Sequence, residues 1–250
     1  MKEKILEKLR KLEKEKNIKI IFAVESGSRE WGFASDDSDY DVRCVHVSNE
    51  NNYLSLFTKN EQVDLLEDNI DIVSWDIRKF FNLFLKSNPT VSEWLSSKLI
   101  YVSKDFNKIK KEDLHKIFSE GFSRSKIKQH YISLAKQNYE KYINKDSEVS
   151  LKKYVYILRA FGCIEYINNT NSLPPLNWKL SSKFLSENIC KIFSELVELK
   201  KNSESTKGKR NETLDRWIEQ KLNEKVEKQE DHFNIDFIDK LVIETIKQYS

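Results

Sequence analysis

Glycine, proline and cysteine are all scarce in this sequence. The 250 residues include 5 glycines, 3 prolines and 3 cysteines. So little glycine and proline, together with 39% hydrophobic residues, excludes a fibrous repeat and an intrinsically disordered chain. The cysteines, Cys44, Cys163 and Cys190, are odd in number, widely spaced and set among apolar residues. This pattern favours reduced, buried thiols over disulfide bridges or a zinc site, and it predicts a reducing cytoplasmic location.

Long apolar runs are missing as well. No window approaches 18 uncharged apolar residues, and the stretch from Met1 to Lys8 alternates in charge where a signal peptide needs an apolar segment. We therefore expect a cytoplasmic protein that is neither exported nor a partner of membranes. The 43 basic and 40 acidic residues leave a net charge of +3, which does not by itself indicate nucleic-acid binding. Local motifs have to identify the chemistry.

The periodicity of apolar residues differs between the front and the back of the chain. Residues 2–16 have the spacing of an amphipathic helix, and short β-branched runs at 18–24, 40–47 and 70–75 predict strands. Asp76 is placed to cap a helix that begins at Ile77. From about Glu112 onward helical periods dominate, with a basic linker expected at 200–211.

This pattern predicts an α+β fold. Its front part is expected to be a mixed sheet with flanking helices over residues 1–110, and its back part an all-α helical domain over 111–250.

The densest group of polar residues lies between the first two predicted strands. Gly27-Ser28 follows the first strand and opens a helix, so backbone amides and a hydroxyl converge where a phosphate would fit. Asp39 and Asp41 are two residues apart at the start of a strand, which places both carboxylates on one face and favours Mg²⁺. Asp71 completes a three-acid site for phosphoryl transfer if its strand lies beside theirs.

These motifs resemble the signature of the DNA polymerase β-like nucleotidyltransferase superfamily: Gly27-Ser28, a ten-residue gap, and Asp39-x-Asp41. The surrounding sequence resembles the RlaP (YcgL-like) nucleotidyltransferases associated with RNA-repair ligases. The stretches that carry this resemblance are 25–33, 37–43, 71–79, 86–95, 130–131 and 152–159. The resemblance covers roughly residues 18 to 168 and fades across the last third of the chain.

The resemblance implies a minimal nucleotidyltransferase sheet with a helical partner domain. The implied enzyme transfers a nucleoside monophosphate from a nucleoside triphosphate to an acceptor hydroxyl, with an RNA end as the preferred acceptor. The implied catalytic and metal-binding residues are Asp39, Asp41 and Asp71, which would hold Mg²⁺ or Mn²⁺. The implied contacts of the triphosphate are Gly27, Ser28, Lys152 and Tyr156, with Arg159 on the same helical face; Arg29 and Arg43 are further candidates for phosphate contacts.

Several alternatives stay open at this point. Asp76 rivals Asp71 as the third carboxylate, although its position as a helix cap gives it a structural role. Lys152, Tyr156 and Arg159 also fit a solvated helix face, and Trp31 fits a core aromatic better than a base-stacking residue. The chain could instead be a non-catalytic nucleotide- or RNA-binding protein of the same fold, or an enzyme that modifies a protein or small molecule. The preferred base and the oligomeric state are not indicated.

Overall fold

A computed structural model describes residues 1–57, 61–143, 148–202 and 207–250. The helices in these ranges are α1 (Lys2–Lys16), α2 (Gly27–Trp31), α3 (Glu50–Leu54), α4 (Ile77–Leu85), α5 (Pro89–Ser96), α6 (Lys111–Gly121), α7 (Arg124–Tyr142), α8 (Leu151–Thr170), α9 (Trp178–Ser181), α10 (Glu187–Asn202), α11 (Glu212–Leu222) and α12 (Ile235–Tyr249). The strands are β1 (Ile18–Glu25), β2 (Tyr40–Ser48), β3 (Gln62–Glu67), β4 (Ile70–Asp76), β5 (Ile100–Ser103), β6 (Glu148–Ser150) and β7 (Lys207–Lys209).

Five strands form a mixed sheet in the order β3-β4-β2-β1-β5. β2 runs antiparallel to β1 and parallel to β4, and β3 and β5 lie at the two edges. The predicted α+β class is confirmed, since the front part contains this sheet with helices around it and the back part is mainly helical.

One face of the sheet is covered by α1. Ile5, Leu9 and Leu12 of α1 are buried in one apolar cluster. The strand members of the cluster are Ile20, Ala23, Val42, Cys44, Ile70 and Ile72. Because side chains alternate along a strand, the residues adjacent to them in sequence, Asp41, Arg43 and Asp71, belong to the opposite face. The face that carries these polar residues is therefore the one that α1 does not cover.

The back part also contains a short ladder that the helical periodicity did not predict. β6 pairs antiparallel with β7, so that Val149 lies opposite Gly208. The linker predicted at 200–211 was therefore wrong at both of its described ends, because α10 extends to Asn202 and β7 begins at Lys207. The rest of that prediction, residues 203–206, lies outside the described residues.

The described residues group into two compact units. The first comprises residues 1–30, 39–122 and 231–250 and contains the five-stranded sheet. The second comprises residues 31–38 and 123–230 and contains the helices from α7 to α11 and the β6–β7 ladder. The predicted domain boundaries at 1–110 and 111–250 stay a prediction.

The structure bears on two predictions from the composition, the state of the cysteines and the absence of long apolar helices. All three cysteines are free thiols, with Cys44 and Cys163 buried and Cys190 partly buried. In the part of the chain that the structure describes, no helix is both long and apolar enough to cross a membrane.

His46 gives the sheet a predicted dependence on pH. It is fully buried on β2, its Nδ1 lies 2.8 Å from the Ser74 hydroxyl, and burial lowers its pKa to about 4. An unfolded chain binds this proton near pH 6.5, so protonation favours unfolding as the pH falls below that value. We expect this group alone to remove about 2 kcal/mol of stability between pH 7.5 and pH 5.

Urea denaturation at pH 7.5, 6 and 5 measures this effect. The comparison is with His46→Gln, which keeps a hydrogen-bonding amide near Ser74 but does not titrate. The variant should lose less stability than the parent over this range, and equal losses would contradict the assignment to His46.

Candidate functional site

The predicted acids and the Gly-Ser motif lie near one end of the three central strands. β1 ends at Glu25 and α2 begins at Gly27, while β2 and β4 begin at Tyr40 and Ile70. Tyr40 lies opposite Ile70 in the parallel ladder, and the next pair is Asp41 and Asp71. The adjacency that was needed to bring Asp71 beside Asp41 is therefore present in the sheet.

Arg43 joins the two acids. Its Nη2 donates to Asp41 Oδ1 at 2.6 Å and to Asp71 Oδ2 at 2.8 Å, and its Nη1 donates to the Asp71 carbonyl at 2.8 Å. All three side chains are partly buried. The two carboxylates thus converge on a single cationic nitrogen. Sequence reasoning considered Arg43 only as a phosphate contact, although its position two residues after Asp41 places it on the same strand face.

Gly27 allows the backbone to pass close to Asp41. Its φ is +62°, a conformation that favours glycine, and a Cβ at this position would overlap the Asp41 carboxylate. This close approach accounts for one of the few glycines in the chain. Ser28 follows it and is buried. α2 is a single turn and has little helix dipole. A phosphate here would therefore be bound by the backbone amides of Gly27 and Ser28 and by the Ser28 hydroxyl.

Asp39 is placed differently from the other two acids. It is exposed and precedes β2, and its carbonyl accepts a hydrogen bond from Arg29 Nε at 3.3 Å. The Arg29 guanidinium also stacks on the Tyr40 ring, 3.8 Å from its centroid. Within the described ranges, no three His, Cys, Asp or Glu side chains have the arrangement of a metal site. The structure therefore brings Asp41 and Asp71 together but does not gather Asp39 with them.

Glu25 is a buried acid beside this site that sequence reasoning missed. Its Oε1 accepts a hydrogen bond from the backbone N–H of Asp41 at 2.9 Å, and its Oε2 accepts a hydrogen bond from the Tyr101 hydroxyl. Burial raises the pKa of this carboxyl, opposed by its two hydrogen bonds. The Ser26 amide also donates to the Asp41 carbonyl at 2.9 Å. Glu25 and Ser26 thus fix the backbone of Asp41 from both sides.

A substitution pair tests how Glu25 acts. Glu25→Ala should lower the free energy of unfolding by about 2–3 kcal/mol, because it leaves the Asp41 amide without its acceptor and opens a cavity. Glu25→Gln should cost less than about 1 kcal/mol, since its carbonyl oxygen can accept the Asp41 amide while its amide donates to the Tyr101 oxygen. Urea denaturation measures both values, and equal losses would show that the negative charge itself is required.

Asp76 lies at the other end of β4, about 16 Å along the strand from Asp71. It is buried and caps α4, accepting the Arg78 amide at 2.9 Å, as predicted. It also accepts the Tyr53 hydroxyl at 2.7 Å, and burial raises its pKa. The side chain therefore has a structural role that accounts for its position.

Lys152 and Tyr156 lie on α8 in the second unit. The Tyr156 ring packs on Trp31 and Phe33 at centroid distances of 5.8 and 6.1 Å, and Lys152 Nζ lies 5.7 Å from the Tyr156 ring. The buried Arg159 guanidinium lies 3.9 Å from the Trp31 ring centroid. The prediction that these residues share a helical face agrees with these contacts. Trp31 is partly buried and packs against Phe33, Tyr156 and Arg159.

Comparison with known proteins identifies the family. The model of the RlaP family, described as the RNA repair pathway DNA polymerase beta family, matches residues 1–244. The chain belongs to this family. The RlaP match confirms the resemblance seen in the sequence and extends it through the last third of the chain.

The RlaP-family chain is also similar to two individual proteins. The chain is 37% identical over 207 residues to the uncharacterized protein YcgL of Bacillus subtilis (strain 168), covering 82% of this chain and 78% of YcgL. A nucleotidyltransferase-like protein of known crystal structure, from Exiguobacterium sibiricum 255-15, aligns with 98% of this chain and 78% of its own, at 12% identity. Its TM-score of 0.32 is too low to bear on the fold.

Proposed function

We propose that this RlaP-family chain is a nucleotidyltransferase dependent on Mg²⁺ or Mn²⁺ that transfers a nucleoside monophosphate from a nucleoside triphosphate to a hydroxyl at an RNA end. The observation that carries the proposal is the pairing of Asp41 with Asp71 on adjacent parallel strands, where both carboxylates converge on one cationic nitrogen. The description of the family as a DNA polymerase beta family of RNA repair supports the reaction class and the acceptor.

The donor chemistry fits a divalent cation. Carboxylate oxygens are the ligands that Mg²⁺ prefers, and Arg43 shows that a positive charge is held between Asp41 and Asp71. Asp41 and Asp71, which the sheet brings together, are the proposed ligands, and Asp39, two residues before Asp41 in the chain, is the proposed third. When bound, such a cation would neutralise charge on the triphosphate and make the acceptor hydroxyl more acidic.

The chain's own side chains supply the remaining functions in this proposal. Gly27, Ser28 and Arg29 would contact the β- and γ-phosphates. The contacts of Lys152 and Tyr156 with the triphosphate stay a prediction from the family resemblance. Asp71 accepts the proton of the acceptor hydroxyl. The acceptor oxygen then forms a bond to the α-phosphorus, the bond between the α-phosphorus and the bridging oxygen breaks, and pyrophosphate leaves with that electron pair.

One observation favours a second candidate function. Arg43 already neutralises part of the charge of both acids, as it would in a protein that binds nucleotide or RNA without turnover. The retention of Asp39, Asp41 and Asp71 favours the enzyme.

Metal removal tests the proposal directly. Each α-³²P-labelled nucleoside triphosphate is incubated with the protein and RNA, DNA, protein or no acceptor, in Mg²⁺, in Mn²⁺ and in EDTA. Label should enter RNA, with pyrophosphate released, only when a divalent cation is present. Label in protein would show that protein, not RNA, is the acceptor. Equal transfer in EDTA would contradict the metal-dependent mechanism. Nucleotide or RNA binding without transfer would favour the second candidate function.

A further inference from the structure

A polar cavity of about 390 Å³ lies within the second unit, between α7, the end of α8 and the segment before α12. It is within the size range of ligand sites, about 300–1,000 Å³. Its polar and charged lining residues are Arg124, Ser125, Lys128, Asn168, Asn171, Glu227, Lys228 and Gln229. Three cations and one carboxylate therefore surround it, which favours an anionic ligand over an apolar one.

The two cations on α7 are oriented by neutral groups. Arg124 donates from Nη1 to Asn171 Oδ1 at 2.6 Å and from Nε to Gln229 Oε1 at 3.0 Å. Lys128 donates from Nζ to Asn168 Oδ1 at 3.1 Å. Across the described part of the chain, neither cation has a carboxylate within ion-pair distance. Their positions are thus fixed while their charges stay available to a ligand.

The opposite wall is held in place as well. The Gln229 carbonyl accepts the Ser123 and Ser125 hydroxyls at 2.6 and 3.0 Å, and the Gln229 amide donates to the Ser125 hydroxyl at 2.8 Å. This segment presents the Gln229 side chain to Arg124. The cavity is therefore built by specific contacts from three parts of the second unit.

We infer that this cavity binds a phosphate group, with Arg124 and Lys128 as its charged contacts, and that the phosphate belongs to an RNA strand. The phosphate chemistry follows from the cavity itself, whereas the choice of RNA rests on the proposed function. A mononucleotide or free phosphate has the same chemistry and is distinguished by experiment.

RNA binding by the full chain tests this inference. Fluorescence anisotropy with a labelled single-stranded RNA is measured in EDTA without nucleotide, so the result does not depend on transfer. The double variant Arg124→Gln/Lys128→Gln should weaken RNA binding about tenfold. The slope of log K against log salt concentration should fall by about one, which corresponds to one lost phosphate contact. The matched control Lys136→Gln/Lys141→Gln removes the same charge from the exposed end of α7 and should bind within about twofold of the parent.

Two further experiments distinguish RNA from other sources of phosphate and a loss of charge from a folding defect. ATP and inorganic phosphate are added as competitors of the labelled RNA. If the double variant binds RNA as the parent does but no longer responds to these competitors, the assignment to RNA is overturned. The charge-preserving variant Arg124→Lys/Lys128→Arg should restore most of the binding if charge is what matters. Equal RNA affinity in the double variant and the control, or no RNA binding by the parent, would overturn the inference. Because binding is measured in EDTA without nucleotide, a loss of transfer alone does not affect this test.

Discussion

Asp41→Asn should reduce nucleotidyl transfer by at least about a hundredfold, because it replaces a charged oxygen ligand at the point where Asp41 and Asp71 converge. Loss of such a ligand costs several kcal/mol of transition-state stabilisation. The substitution changes one atom and adds no bulk beside Gly27, so the backbone path should be preserved. Initial rates of label incorporation into the best acceptor measure the effect.

The same variant should remain folded. Asp41 is partly exposed and its ion pair with Arg43 is one of two, because Asp71 still pairs with that guanidinium. Discounting the ion pair for solvent screening, we expect the free energy of unfolding to change by no more than about 1 kcal/mol.

Asp64→Asn is the matched control. Asp64 is an exposed residue on β3, opposite Val73 in the same sheet, and it hydrogen-bonds to Gln62. This variant should keep transfer within about twofold of the parent. If Asp41→Asn retained comparable activity, Asp41 could not be a catalytic ligand.

The sequence predicted the sheet well where strands are buried. β1, β2 and β4 are β-branched runs whose apolar residues pack against α1, so periodicity located each of them to within a residue or two. β3 was missed because it is an edge strand with only partial burial, and Gln62 to Glu67 have little apolar alternation. Its identity depends on pairing with β4, which no local pattern reports.

The site was predicted in part for similar reasons. Motif spacing located Gly27 and Asp41, and a β-branched run placed Asp71 on a strand. The parallel ladder then puts Asp71 opposite Asp41. The roles of Arg43 and Glu25 depend on partners 28 and 16 residues away in the chain, so they required the folded structure. The expected grouping of Asp39 with Asp41 assumed that the strand begins early enough to include both, whereas β2 begins at Tyr40.

The assignment of the third carboxylate leads to the second large expected effect. Asp71→Ala should reduce transfer by at least about a hundredfold and change stability by no more than about 1 kcal/mol, because Arg43 keeps its pair with Asp41. Asp76→Ala should do the opposite. It removes the α4 cap and the buried acceptor of the Tyr53 hydroxyl, which together should cost about 2–3 kcal/mol, while transfer stays within a few-fold.

Transfer rates and urea denaturation on the two variants separate these roles, because each substitution is expected to change only one of the two measurements. Asp76→Asn covers the case in which Asp76→Ala does not fold, since asparagine also caps helices well and can accept the Arg78 amide. Loss of transfer in Asp76→Asn at normal stability, with Asp71→Ala active, would reverse the assignment. That outcome would also be hard to reconcile with the register of the sheet, because Asp71 lies opposite Asp41 whereas Asp76 lies opposite His46.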